Sequence, residues 1–157
     1  LSTDDSEEFT ISELVKRVNI LMKHELKNAY IYLNILMKVD EEKVIDGNVN
    51  VLVQVVNNII SNAIQAYDGK HDQNIQFEIS QKENNIIFSI TDFAGGLSKE
   101  VQDRLFKEMV TTKGKNGTGL GLYMSYSNIK AHFGGDITYK TEEGKGTTFN
   151  IIIPVKK

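Results

Sequence analysis

The chain has 157 residues, of which 25% are charged, with a net charge of −3 and no cysteine. That length fits one domain able to bury roughly 68–70% of its unfolded surface. The charge balance lacks the basic excess of a nucleic-acid binder, so nucleic acid is not an expected partner. Disulfides and thiolate metal sites are excluded, and no apolar run nears the roughly 20 residues of a membrane helix. The chain opens on Leu1 rather than Met and shows no signal-peptide pattern. The expectation is a cytoplasmic piece of something longer that makes no membrane contact of its own.

Taken in order, residues 1–8 are acidic and polar with nothing to bury, and read as a mobile lead-in to a domain spanning 9–157. Thr10-Ile11-Ser12-Glu13 has the form of a capping box, and Ile11, Leu14, Val15, Val18, Leu21 and Met22 recur at helical spacing. This predicts a helix from about Ser12 to Lys27. Tyr30 to Val39 is rich in β-branched and aromatic residues and reads as a strand, ended by the charged run from Asp40 to Lys43. A second helix, Val51 to Ala66, carries a broad aliphatic face. Ile75–Ile79 and Ile86–Ile90 then read as a hairpin turning at Glu83-Asn84-Asn85.

After the turn Asp92-Phe93-Ala94-Gly95-Gly96-Leu97, Ser98 is placed to cap a short helix. Thr111 to Gly117 is polar with almost nothing to bury. A further helix runs to His132, closed by Gly134-Gly135, and a hairpin of Ile137–Thr141 and Thr147–Val155 ends the chain. The architecture predicted is an α+β two-layer sandwich, with a mixed, mostly antiparallel sheet and helices packed on one face.

Chemistry concentrates in four places. Gly117-Thr118-Gly119-Leu120-Gly121-Leu122 opens a helix, and glycines there let backbone N–H groups turn inward toward an anion, with polyphosphate the obvious candidate. It is neither a Rossmann fingerprint, which needs a preceding strand, nor a Walker A loop, which needs Gly-Lys before Ser or Thr. Asn58 and Asn62 lie four apart on one helix face, where an amide oxygen suits Mg²⁺; alone, the pair reads first as a solvated helix face. Asp92 at a strand end can accept from an exocyclic amine or serve as an ordinary turn residue. Thr147 follows Gly146 on a strand, where simple β propensity also explains it.

In this order and context, these stretches resemble the ATP-binding catalytic domain of sensor histidine kinases, within the wider family shared with DNA gyrase. The likeness runs from about Phe9 to Pro154. Asn58-Ile59-Ile60-Ser61-Asn62-Ala63 is similar to the N box and Asp92 to Leu97 the G1 box. Leu105-Phe106 through Lys113 resembles the F box, and Gly117 to Leu122 the G2 box.

The resemblance implies the Bergerat fold, ATP and Mg²⁺ as ligands, and transfer of the γ-phosphoryl group to a histidine on a separate dimerisation domain, with a response regulator downstream. It implies that Asn62 ligates Mg²⁺, Asn58 supports metal and phosphates, Asp92 takes the adenine amine, Thr147 shares that contact directly or through water, and Gly96 of the G1 box binds the nucleotide. Residues 97–116 would form a lid over ATP, from which Lys113 or Lys115 reaches the γ-phosphate. Relatives that hydrolyse ATP carry Glu where Asn58 stands; an amide takes no proton at neutral pH, which favours transfer over hydrolysis. Alternatives of the same fold are an anti-sigma-type protein-serine kinase and a non-catalytic docking module.

Three positions depart from the pattern: Ala94 replaces a usual glycine, Gln65 a frequent basic residue, and Ala66 a frequent aromatic, with Tyr67 one step on. Lys23-His24-Glu25-Leu26-Lys27-Asn28 resembles a phosphoacceptor box. The stretch from His24 to Asn62, however, is filled by a strand and half a helix, leaving no room for the dimerisation hairpin that such a histidine needs, so His24 is expected on the surface of the first helix.

Overall fold

The computed structural model describes residues 7–110 and 122–155. In chain order the elements are β1 (Glu8–Thr10), α1 (Ile11–Ala29), β2 (Ile31–Met37), β3 (Val44–Asp46), α2 (Val49–Ala66), β4 (Gln73–Lys82), β5 (Asn85–Asp92), α3 (Lys99–Val110), α4 (Leu122–Phe133), β6 (Asp136–Glu142) and β7 (Gly146–Pro154). Five strands form one sheet in the order β2-β4-β5-β7-β6, and β1 pairs with β3 in a separate two-stranded ribbon. Only β2 runs parallel to its neighbour, reached by a crossover through α2; the other pairs are antiparallel. The α+β class with a mixed, mostly antiparallel sheet is as the sequence predicts.

Alternation decides which face the helices cover. Ile75, Phe77 and Ile79 on β4, Ile86, Phe88 and Ile90 on β5, and Phe149, Ile151 and Ile153 on β7 are all buried, and the intervening residues lie on the other face. The strand registers align them in rows: Phe77, Ile90 and Phe149 in one, Ile79, Phe88 and Ile151 in the next. Against these rows α2 lays Leu52, Val55, Val56, Ile59, Ile60 and Ala63. Each such aliphatic or aromatic side chain contributes about 1.5–3 kcal/mol on full burial.

The ends of α1 are closed from both sides. Thr10 Oγ1 accepts from the Glu13 N–H at 3.1 Å, and the Ile11 and Ser12 N–H groups donate to the Lys43 and Glu41 carbonyls at 3.0 and 2.8 Å. Tyr30, read from the sequence as the start of a strand, is instead the left-handed C-cap of α1 at φ 57°. Three-residue strands are too short for a periodic signal, and β1 and β3 went unanticipated; they exist because Phe9 and Ile45 pair and bury each other at the foot of α1. Among the described residues no helix is long and apolar enough to cross a membrane.

Candidate functional site

The inward positions of β5 read Ile86, Phe88, Ile90, Asp92, so the strand that supplies the core ends on a carboxylate facing the same way. Asp92 is 7% exposed and stands in register with Ile75 on one side and Thr147, 4% exposed, on the other. Burial pushes its carboxyl above the usual carboxylate range, and the backbone N–H groups of Ala94 and Thr147 pull it partly back. The Ala94 N–H reaches Oδ1 at 3.0 Å.

Above Asp92 is a cavity of about 230 Å³. Its walls are Ile59 and Ala63 of α2, Ile90 of β5, Phe149 of β7 and Leu97, with Asn62, Gly96 and Thr147 supplying the polar edge. Pockets for drug-sized ligands run about 300–1,000 Å³, so this one suits a flat ring with a single directed acceptor at its base.

The loop after Asp92 is clipped at nearly every peptide. The Phe93 N–H donates to Tyr67 Oη at 2.7 Å, the Ala94 N–H to Asp92, and the Leu97 N–H to Thr141 Oγ1 at 2.8 Å. The Gly95 carbonyl accepts from the Gly144 N–H at 2.8 Å. Gly96 has φ +79°, and a Cβ there would collide with the Glu142 carbonyl oxygen. Ala94 is not among the residues with positive φ, so its methyl is accommodated and packs on the core.

Three residues to which the sequence alone assigned no role hold this arrangement. Tyr67, 2% exposed, accepts from Phe93 and donates to the Asn74 carbonyl at 2.6 Å, tying the end of α2 to β4 and to the loop. Thr141 shares a 2.9 Å hydroxyl contact with Thr147. Ser125, 5% exposed, interrupts the buried stripe of α4 between Leu122 and Ile129 and accepts from Asn58 Nδ2 at 3.1 Å. The signal for Ser125 was a small polar residue at an inward helical position; for Tyr67, an aromatic with a polar tip closing the site helix.

The structure thus brings together Asn62, Asp92, Gly96 and Thr147 around one cavity, with Gln65 and Ala66 also on its wall. Asn58 stands one turn earlier on α2, in the groove shared with α4, and does not line the cavity. Leu122 is fully buried, so its side chain belongs to the core. Lys113, Lys115, Gly117, Thr118, Gly119, Leu120 and Gly121 lie outside the described residues, as does most of the 1–8 lead-in. The described part of the expected lid is Leu97, Ser98 and the helix α3, with Leu105 buried. His24 is exposed on α1.

A two-layer α+β sandwich with a buried carboxylate under an asparagine-bearing helix places the chain in a class of ATPase-type domains. The chain belongs to the family described as histidine kinase-, DNA gyrase B-, and HSP90-like ATPase, matched over residues 47–157. It is 40% identical over 110 residues to Sporulation kinase E of Bacillus subtilis, covering 69% of this chain and 14% of that protein. It is 38% identical over 104 residues to the sensor histidine kinase ZraS of Escherichia coli, covering 66% and 22%. The chain therefore spans only a minor part of the length of the curated relatives it matches.

Among solved structures, the nucleotide-free catalytic domain of histidine kinase ThkA superposes with a TM-score of 0.76 at 25% identity, covering 94% of both chains. The same kinase in complex with response regulator protein TrrA gives a TM-score of 0.76 at 21% identity, covering 96% of this chain and 42% of that one.

Proposed function

We propose that this domain binds ATP with Mg²⁺ and donates the γ-phosphoryl group to a histidine on a separate dimerisation domain of the same kinase, from which a response regulator takes it. The observation that carries this reading is the buried Asp92 at the base of an apolar cavity. A carboxylate there accepts from the exocyclic amine of adenine, while Ile59, Ala63, Ile90 and Phe149 take the ring faces, and Thr147 shares the contact directly or through water. Curated relatives that are sensor and sporulation kinases, and a structural neighbour captured with a response regulator, support the two-component assignment.

Among the described residues no cluster of three His, Cys, Asp or Glu is placed to hold a metal. The donor set therefore fits a hard cation that arrives with the phosphates and keeps its waters, with Asn62 at the cavity edge contributing an amide oxygen. When bound, Mg²⁺ supplies charge neutralisation on the phosphate oxygens. Asn58, fixed by Ser125, is the second amide of this group and has no proton-accepting nitrogen or carboxylate with which to activate water. In this reading Gly117 to Leu122 would offer backbone N–H groups to the phosphates, and Lys113 or Lys115 would neutralise charge at the γ-position. In the reaction the bond from the γ-phosphorus to the β–γ bridging oxygen breaks, a bond to the acceptor imidazole nitrogen forms, and ADP leaves. The site acts within a domain that works on the cytoplasmic side of its parent.

Titrating ATP with and without Mg²⁺ into the wild type and Asp92→Ala tests the site; equal affinity in both proteins would remove the adenine role. Mixing the domain with the parent's phosphoacceptor hairpin and γ-labelled ATP tests the reaction. Acid-labile label on histidine is expected, whereas acid-stable label on serine would indicate the anti-sigma type of kinase. Failure of ATP to bind at all would leave a docking module, and steady phosphate release lost on Asn58→Ala would mark a hydrolase.

A further inference from the structure

The five-stranded sheet ends on β2, which among the described residues pairs with β4 alone. The Lys38 N–H donates to the Ile79 carbonyl at 2.8 Å, and the register Met37 to Ile79 is unbroken back to Ile31 and Gln73. In a parallel ladder alternate residues bond to the neighbour, so the even-numbered residues face β4. Ile31, Leu33, Ile35 and Met37 consequently turn their N–H and C=O groups to the open side.

Natural edges are usually blunted by charge, proline, a bulge or short length. The sequence of β2, Ile-Tyr-Leu-Asn-Ile-Leu-Met, has none of these devices over seven residues. Tyr32 and Leu36 on its outer face are 55% and 38% exposed. Beside the edge is a groove of about 640 Å³ between β2 and α1, to which α1 contributes Asn19, Lys23 and Lys27. Among the described residues these two lysines are the only charged ones along the groove, and neither makes an ion pair.

We infer that the β2 edge is a docking site for an extended segment of another polypeptide that adds as a sixth strand, with acidic side chains at alternate positions over Lys23 and Lys27. The spacing agrees. Residues four apart on a helix rise about 6 Å, and alternate residues of a strand advance about 6.6 Å, so two acidic groups on one face of the guest meet two lysines on one face of α1. Main-chain bonds to the four outward residues supply affinity, and the lysines set the direction of choice. A second copy of this chain fits worse, because antiparallel pairing of two β2 edges brings the Lys23 and Lys27 of both copies toward one another.

The test uses an octapeptide alternating valine and glutamate, titrated into isotopically labelled protein. Hydrogen exchange is expected to slow at the amides of Ile31, Leu33, Ile35 and Met37, with exchange at the even-numbered amides unchanged. A Lys23→Glu, Lys27→Glu double variant, altered only at exposed positions of α1, is expected to bind the peptide about tenfold more weakly while binding ATP as the wild type does. A peptide with lysine in place of glutamate is expected not to bind. Equal binding by the charge-reversed variant, or no protection of the four amides at millimolar peptide, would overturn the inference. Protection of the same amides on raising the protein concentration alone would replace the acidic guest with self-association.

Discussion

Asp92 carries a negative charge where the surroundings disfavour one, and this has opposite consequences for stability and for binding. Its folded pKa is raised above the ordinary 3.8, chiefly by burial. Between 3.8 and that raised value the folded state holds more proton than the unfolded, so its contribution to stability falls as pH rises through the window. Asp92→Asn removes the buried charge, and the nucleotide-free protein is expected to melt at a higher temperature than the wild type at neutral pH, the gap closing as pH is lowered to 3.8 and below. ATP binding is expected to move the other way, because the proposed contact with the adenine amine needs an acceptor. Affinity should fall as Asp92 protonates, and in Asp92→Ala by about 1.5–3 kcal/mol, the range for a hydrogen bond to a charged group. Calorimetric melts and ATP titrations on the same samples check both halves.

The Ser125 hydroxyl fixes which end of the Asn58 amide faces α4. Ser125→Ala is expected to slow phosphoryl transfer several-fold while leaving ATP affinity within about twofold, and to have no further effect in an Asn58→Ala background. Additive losses would mean that the serine acts through packing alone.

At the level of elements, the loop from Phe93 to Leu97 is the joint on which the cavity depends, clipped to α2 by Tyr67 and to the β6–β7 hairpin by Thr141 and Gly144. Tyr67→Phe strands the Phe93 N–H and the Asn74 carbonyl and is expected to destabilise the domain by about 1–3 kcal/mol. Gly96→Ala meets both a left-handed backbone and the Glu142 carbonyl, and is expected to cost about 1–3 kcal/mol and to weaken ATP binding by distorting the cavity wall. Denaturant unfolding with and without ATP separates the two effects.

The elements themselves were largely legible because their periodicity is strong. The every-second-residue pattern of β4 and β5 and the aliphatic face of α2 appear in the sequence as they do in the fold. What was not legible depends on long-range closure. The ribbon of β1 and β3 exists only because residues 8–10 and 44–46 meet, and Tyr67 has its role only because β4 and the loop converge on its hydroxyl. Within the site, Asp92, Asn62 and Thr147 were recognisable from motif order, whereas the partnership of Asn58 with Ser125 joins two helices and leaves no local pattern.

For the molecule as a whole, the sheet divides the domain into a helix-covered face that holds the cavity and an outer face that no helix among the described residues covers. The cavity is built from both layers: α2 gives Ile59, Asn62 and Ala63, and the sheet gives Ile90, Asp92, Thr147 and Phe149. A ligand bridging the layers binds the folded state only, so its free energy adds to global stability. At ATP concentrations about a hundredfold above Kd the gain is about 2.7 kcal/mol. For a domain of this size, at about 2–4 °C per kcal/mol, the melting temperature should rise by about 5–10 °C. Chelating Mg²⁺ should remove much of the rise, since the phosphates then lack the cation proposed at Asn62. Asp92→Ala should show little rise at any ATP concentration that saturates the wild type. A full shift in Asp92→Ala, or one indifferent to chelation, would place ATP elsewhere on the molecule and detach the cavity from the function proposed for it.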